Sequence, residues 1–223
     1  MSEKRTTARA FHDAGGVEDW RVLFSGAHAH FRVGSFAEAA RFLAAIAEAA
    51  EAVGHFPDVD VRPEGVTIRT NSGEYGAMSD RDVELARRIS VEARKLGIAA
   101  DPSQVQVVSI AVAQDEGSDV GPFWAAALGY RNLGPTEDVV DRHRRNPGVS
   151  FQNLRPPRPG RGRTHIDVSV PADQAEARIA AALEAGGRVV DATHAPHWWT
   201  LASPENHKVD IAAWPDFEDD AEG

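Results

Sequence analysis

Histidine is the side chain whose ordinary titration falls nearest neutrality, so histidines set beside carboxylates are the first candidates for proton transfer. His55 stands two residues ahead of Pro57, with Glu51 one helical turn before it and Glu74 further along. Burial that raised either glutamate would let it carry a proton with His55. His55 can equally be read as a histidine fixed beside a proline at a helix exit. His28 and His30 alternate along one stretch and share a strand face, where they can be solvated, packed or part of a site. Toward the C-terminus, His165, Asp210 and Gln152 offer nitrogen and oxygen donors for a divalent ion. His194, His197, Trp198 and Trp199 bring aromatic faces and polar tips together, which suits a planar ligand, an interface or a lid over a core. The chain has no cysteine, which excludes disulfides, thiolate nucleophiles and Cys-bound metal, so a metal must be held by His, Asp, Glu or Gln.

The residues around these candidates are those of ordinary globular units: 223 residues, 42% hydrophobic and 26% charged. That length suffices for one large domain or two small ones. A formal net charge of −10 argues against general nucleic-acid binding, because a phosphate backbone rewards a basic surface. There is no apolar run near the roughly 18 residues that would span a bilayer, and Met1 to Ala10 lacks the apolar stretch of a secretory signal. The expectation is a cytoplasmic protein without membrane partners. Part of the negative charge lies in Asp216 to Glu222, expected to be a solvated acidic tail.

The elements that must position these side chains read as α+β. Arg21 to Val33 alternates and is interrupted by Gly26, predicting a twisted hairpin. Ser35 with Glu38 predicts a capping box, opening a helix that carries Phe36, Leu43, Ile46, Ala47 and Ala50 at helical spacing and stops at Gly54. Val59 to Arg69 predicts strands around a turn at Pro63-Glu64-Gly65. Ser79 and Asp82 cap a second helix through Val83, Leu85, Ala86, Ile89, Ala93 and Leu96. Ala99 to Ser103 has linker composition, so a domain boundary is expected near Asp101. Beyond it a strand, a helix at Gly121 to Leu128, further strands, a Pro/Gly/Arg-rich connection with Arg155, Arg158, Arg161 and Arg163, a strand, a helix at Pro171 to Glu184 and closing strands write a β-α-β pattern twice.

The stretch Gly54-His55-Phe56-Pro57-Asp58-Val59-Asp60-Val61, with Glu51 before it and Tyr75-Gly76-Ala77-Met78-Ser79-Asp80-Arg81-Asp82 after it, resembles pterin-4a-carbinolamine dehydratase over about Trp20 to Ile89. The resemblance implies a lyase that removes water from 4a-hydroxytetrahydropterin, of which tetrahydrobiopterin is the parent. It uses histidines to protonate the departing hydroxyl and to relieve a ring nitrogen of its proton. The family has two adjacent histidines before the proline and a third further on. Here these positions hold His55, Phe56 and Gly73. By the same resemblance His55 is the first catalytic candidate; beside it Glu51 or Glu74 is read as a proton carrier if burial raises its pKa, and Phe56, Pro57 and Asp58, with His28 and His30 on the hairpin, are the substrate-lining candidates.

Phe123-Trp124-Ala125-Ala126-Ala127-Leu128-Gly129-Tyr130, Thr164-His165-Ile166-Asp167-Val168 and Ser203-Pro204-Glu205-Asn206-His207-Lys208-Val209-Asp210-Ile211 resemble the first helix, fifth strand and last strand of glyoxalase-like vicinal-oxygen-chelate proteins. Metal-dependent members hold a divalent ion that acts as a Lewis acid, with donors commonly on the first, fifth and last strands. These positions are Ser109, His165 and Asp210, with Gln152 a further donor. A metal-free cup for a small organic molecule, using His197, Trp198 and Trp199, is the other implication. The expected fold is therefore a dehydratase-like antiparallel sheet with helices on one face (1–100), followed by a paired βαβββ domain (104–215) and the tail (216–223). Three functions stay open: a dehydratase-like lyase joined to a small-molecule-binding domain, a non-catalytic binding or resistance protein, and a metal-dependent lyase or dioxygenase. Both parent folds imply a homodimer and a pterin or planar aromatic ligand.

Overall fold

A computed structural model of the chain describes residues 5–73, 77–114, 120–133, 138–153, 164–202 and 208–213. Glu74, the four arginines from Arg155 to Arg163, and the acidic tail lie outside the described residues. The chain divides into two compact units, with the divide falling between Gln106 and Val107.

The first unit runs β1 (Arg5–Thr6), α1 (Ala8–His12), β2 (Arg21–Leu23), β3 (Gly26–Arg32), α2 (Phe36–Val53), β4 (Asp58–Arg62), β5 (Gly65–Thr70), β6 (Met78–Ser79) and α3 (Asp80–Lys95). Its main sheet is antiparallel, in the order β2-β3-β5-β4. Gly26 turns the hairpin at φ +125°, and a Cβ there would meet the Thr70 carbonyl at 2.5 Å, so glycine is required. Alternation along the strands sends Ala27, Ala29 and Phe31 of β3 and Val66 and Ile68 of β5 to one face. There they join Ala39, Phe42 and Ile46 of α2 and Leu85, Ala86 and Ile89 of α3 in one core.

Two details of α2 differ from the pattern expected of its sequence. The buried stripe is Ala39, Phe42, Ile46, Ala49 and Ala50, whereas Phe36 and Leu43 are 69% and 41% exposed. The stripe follows the face that meets the sheet, and on an alanine-rich helix small residues serve that contact as well as large ones. Ser35 does accept the Glu38 N–H at 3.1 Å, but the Glu38 carboxylate accepts from Gly34 N–H, one residue before the cap. The capping box at Ser79 and Asp82 forms in full. Leu96 is exposed, beyond the last helical residue. The Ala99 to Asp101 segment lies along β3, with Arg32 N–H donating to the Ala99 carbonyl, Asp101 N–H to the His30 carbonyl, and Arg32 paired to Asp101.

The second unit runs β7 (Val107–Gln114), α4 (Gly121–Leu128), β8 (Arg131–Asn132), β9 (Val139–Val140), β10 (Gly148–Asn153), β11 (Thr164–Val170), α5 (Ala175–Glu184), β12 (Arg188–Asp191), β13 (Trp198–Ala202) and β14 (Lys208–Ala213). This is βαβββ written twice, in one eight-stranded mixed sheet of order β12-β13-β14-β11-β7-β10-β9-β8. The repeats meet where β7 and β11 pair antiparallel, and each contributes one parallel pair, β7 with β10 and β11 with β14. Ile110, Val112, Val149 and Phe151 pack with Trp124 and Ala125 of α4. Val168, Val170, Ile211 and Trp199 pack with Ile179 and Ala182 of α5. The opposite sheet face is left for the small and polar residues that alternate with these. Among the described residues, no helix is long and apolar enough to cross a membrane.

Candidate functional sites

Gly54 ends α2 in the left-handed conformation, and the N–H groups of Gly54 and His55 bond back to the Glu51 and Ala50 carbonyls. That turn delivers the His55 ring to the N-terminus of α3. Its Nε2 lies 2.8 Å from Oδ1 of Asp82, which is wholly buried, while the His55 side chain keeps 13% of its surface exposed. Asp82 is saturated. Oδ1 also accepts from the Thr70 hydroxyl at 2.6 Å, and Oδ2 accepts from the Ser72 hydroxyl and from Ser79 N–H at 2.8 Å. A carboxylate that only accepts places the proton of neutral His55 on Nε2 and leaves Nδ1 with the free lone pair.

The other candidates of the first unit are distributed unevenly around this pair. Glu51 is exposed and takes no part in the network among the described residues. Phe56 points outward at 65% exposure, Pro57 is half-buried, and Asp58 pairs with Arg69 at 2.6 Å. Arg69 stands across from both His28 and Asp58 in the sheet register, on the face away from the helices. His28 and His30 therefore occupy the opposite sheet face from Thr70 and Asp82. His28 Nε2 bonds the Ser25 hydroxyl at 2.9 Å, and burial, then Arg69, push its pKa down to about 3. His30 Nδ1 bonds the Thr67 hydroxyl at 2.8 Å and is lowered too, chiefly by burial. Asp82 and Ser72 are the members that sequence reasoning missed, since Asp82 was legible only as a helix cap. The signal available was the hydroxyl set at 70, 72 and 79 around it.

In the second unit the open sheet face gathers His165 and Asp167, two residues apart on β11, with Asp210 in register with Asp167 on β14. His165 Nε2 is 3.1 Å from Asp167 Oδ1 and 3.3 Å from Asp210 Oδ2. Asp167 first, then Asp210, raise the His165 pKa to about 9. Burial acts to raise the Asp210 carboxyl, but hydrogen bonds from His165 and Thr200 outweigh it and hold the pKa below the ordinary value. Asp210 Oδ1 is buried without a hydrogen-bond partner among the described residues. These three residues offer atoms within 4.8 Å of one another, as a metal would need.

Gln152 is not one of them. It lies opposite Ala113, whereas His165 lies opposite Ala111 on the far side of β7. Two strand spacings and two residues put it about 12 Å from His165, Cα to Cα. Asp167 takes its place; it follows His165 by two residues on β11, and its register with Asp210 is what marks it out. The two tryptophans part company for the same reason. Trp199 belongs to the core under α5, while Trp198, opposite Ala212, shares the open face with Asp210 and stacks on His194 at 4.0 Å and 14°. His197 N–H bonds the His194 carbonyl and closes that turn.

Comparison with known proteins agrees with both units. Residues 2–91 match the family model described as pterin 4 alpha carbinolamine dehydratase, and residues 109–212 match that of a glyoxalase-like domain. Among proteins named "Putative pterin-4-alpha-carbinolamine dehydratase", that of Koribacter versatilis is 29% identical over 90 residues, 40% of this chain and 96% of that protein. That of Nocardia farcinica is 42% identical over 60 residues, 27% of this chain and 63% of that protein. That of Roseiflexus castenholzii is 32% identical over 75 residues, 34% of this chain and 81% of that protein. The chain thus belongs, through its first unit, to the pterin-4-alpha-carbinolamine dehydratase family, with a glyoxalase-like domain as its second.

Proposed function

We propose that the first unit dehydrates a 4a-hydroxytetrahydropterin, with His55 as the group that moves the proton and Asp82 as its positioning residue. The reaction breaks the C4a–O bond, releases water, and removes one proton from a ring nitrogen. The proton taken up at one atom equals the proton delivered at the other, so a single imidazole can serve both transfers in turn. The observation that carries this reading is the 2.8 Å bond from His55 to a buried, fully hydrogen-bonded Asp82. It fixes the tautomer, leaves Nδ1 as the base, and steadies the imidazolium that forms midway. Phe56 and Gly73, at two of the family's histidine positions, leave this pair with the proton transfer.

The test is stopped-flow dehydration of the carbinolamine by the wild-type chain, His55→Ala and Asp82→Asn. His55→Ala should lose roughly 10²- to 10⁴-fold of the acceleration, the usual contribution of one proton-transfer group. Asp82→Asn should lose less and alter the pH profile, provided circular dichroism shows α3 intact. A His55→Ala protein as fast as the wild type would overturn the assignment.

A further inference from the structure

We infer that the chain pairs with a second copy of itself through β12, edge to edge and antiparallel, with Arg188 of each copy across from Asp191 of the other. β12 is the outermost strand of the eight-stranded sheet, and β13 is its one neighbouring strand among the described residues. Its outer row of backbone groups is a template for a further strand. The other edge, β8, is two residues long. All four residues of β12 are exposed, and Val189 and Val190 keep 42% and 44% of their surface. Leu183, in the last turn of α5 just before it, is 39% exposed. Among the described residues these are three of the five exposed large hydrophobics of the second unit, so apolar exposure is concentrated at this edge.

The strand is complementary to itself. Antiparallel pairing of Arg188-Val189-Val190-Asp191 with its copy sets each arginine against an aspartate and each Val189 against a Val190. An edge strand with one sign of charge at both ends repels its copy; this one attracts it. Asp191 Oδ1 accepts from the Thr193 N–H at 2.8 Å and the Thr193 hydroxyl at 2.7 Å, which holds the carboxylate at the strand end and leaves Oδ2 for the arginine.

The register with β13 is what makes this pairing geometrically possible. A two-fold axis normal to the sheet keeps each sheet face on its own side, so residues that meet across it must point to the same face. Residues three apart on a regular strand point to opposite faces. Here the register shifts between Val189 and Asp191, where β12 accommodates one extra residue. Arg188 lies opposite Ala202 and Asp191 opposite Thr200, two residues that share a face, so Arg188 and Asp191 share it as well. The bulged residues of the two copies then face each other and the ladder stays in step. A two-fold contact closes at two copies, whereas pairing β12 with β8 of another copy would propagate. In the dissociated chain β12 keeps only β13 beside it and is the strand expected to exchange its amides fastest.

The contact uses neither His55 nor His165, so it stands or fails apart from the dehydration reading. A chain without cysteine allows a direct trap. In the pair the two Val190 positions lie about 6 Å apart, Cα to Cα, from about 5 Å across the ladder and about 3.4 Å along it, within the roughly 4.4–6.8 Å that a disulfide spans. The full chain carrying Val190→Cys, oxidised at micromolar concentration, should give a disulfide-linked dimer. Adding Arg188→Glu to that chain sets a carboxylate against Asp191 at two places by symmetry and should slow cross-linking about tenfold. Mixing it with a chain carrying Val190→Cys and Asp191→Lys restores both charge pairs, and the mixture should recover most of the rate. Rescue by mixing is beyond a misfolded variant. No cross-link, an unchanged rate with Arg188→Glu, or a mixture no faster than its components would each overturn the assignment.

Discussion

His28 is 8% exposed, has the Ser25 hydroxyl for a partner, and stands beside Arg69, so a proton on its ring is expelled by burial and by charge. Its pKa falls from 6.5 to about 3 in the folded protein, and the unfolded chain therefore binds a proton that the folded one refuses. Stability tied to this residue is whole above pH 6.5 and drains away as pH falls toward 3. Between pH 7 and pH 5 the loss from His28 alone is about 2 kcal/mol. Urea titrations at the two pH values should show that loss in the wild type and a flatter dependence in His28→Gln; equal slopes would remove His28 from the account. At this scale the sequence was legible in type more than in role. His55 and His165 were visible as candidates because each falls at a histidine position of the motifs that carry the two resemblances. Asp82 and Asp167 were hidden, since one looked like an ordinary helix cap and the other like an ordinary strand position. Only the long-range register, which no local pattern encodes, puts Asp82 against His55 and Asp167 against Asp210.

Turn and cap chemistry made the elements themselves largely readable. Gly54, Gly97, Gly129 and Gly186 mark helix exits with positive φ, and Ser79 opens α3 with a side chain that accepts from Arg81 N–H. The apolar stripe of α2 was less readable, because alanines at nearly every position give no contrast between faces, and the buried side is decided by the sheet it meets. Ser79 joins cap and site: its backbone N–H holds Asp82 Oδ2 and its hydroxyl bonds Ser72. Ser79→Ala should cost about 1 kcal/mol as a lost cap. It also removes one of the hydroxyls that fix the carboxylate behind His55, so the dehydration rate should fall more than stability does. Denaturation and stopped-flow rates of the same variant separate the two effects, and a variant with unchanged rate would confine Ser79 to capping.

Two units, one of them internally doubled, were legible from the alanine-rich helices that each end at glycine, but the distribution of their cores was not. Among the described residues, 21 buried hydrophobics form a single cluster in the first unit, where Trp20 donates to Ser90 and Phe31 meets Phe42 edge to face at 5.1 Å. The second unit has two clusters of five and three, one under each helix, and all four residues of β12 are exposed. The reason is architectural: each repeat packs its own helix against its own strands, and the two repeats share backbone hydrogen bonds between β7 and β11 rather than one interior. Local opening free energy follows buried apolar contact. Native-state hydrogen exchange should therefore find the amides of β5 and α3 slowest, those of β11 and β14 intermediate, and those of β12 fastest. Amides of β11 and β14 as protected as those of β5 would show that the second unit is held by something other than its two small cores.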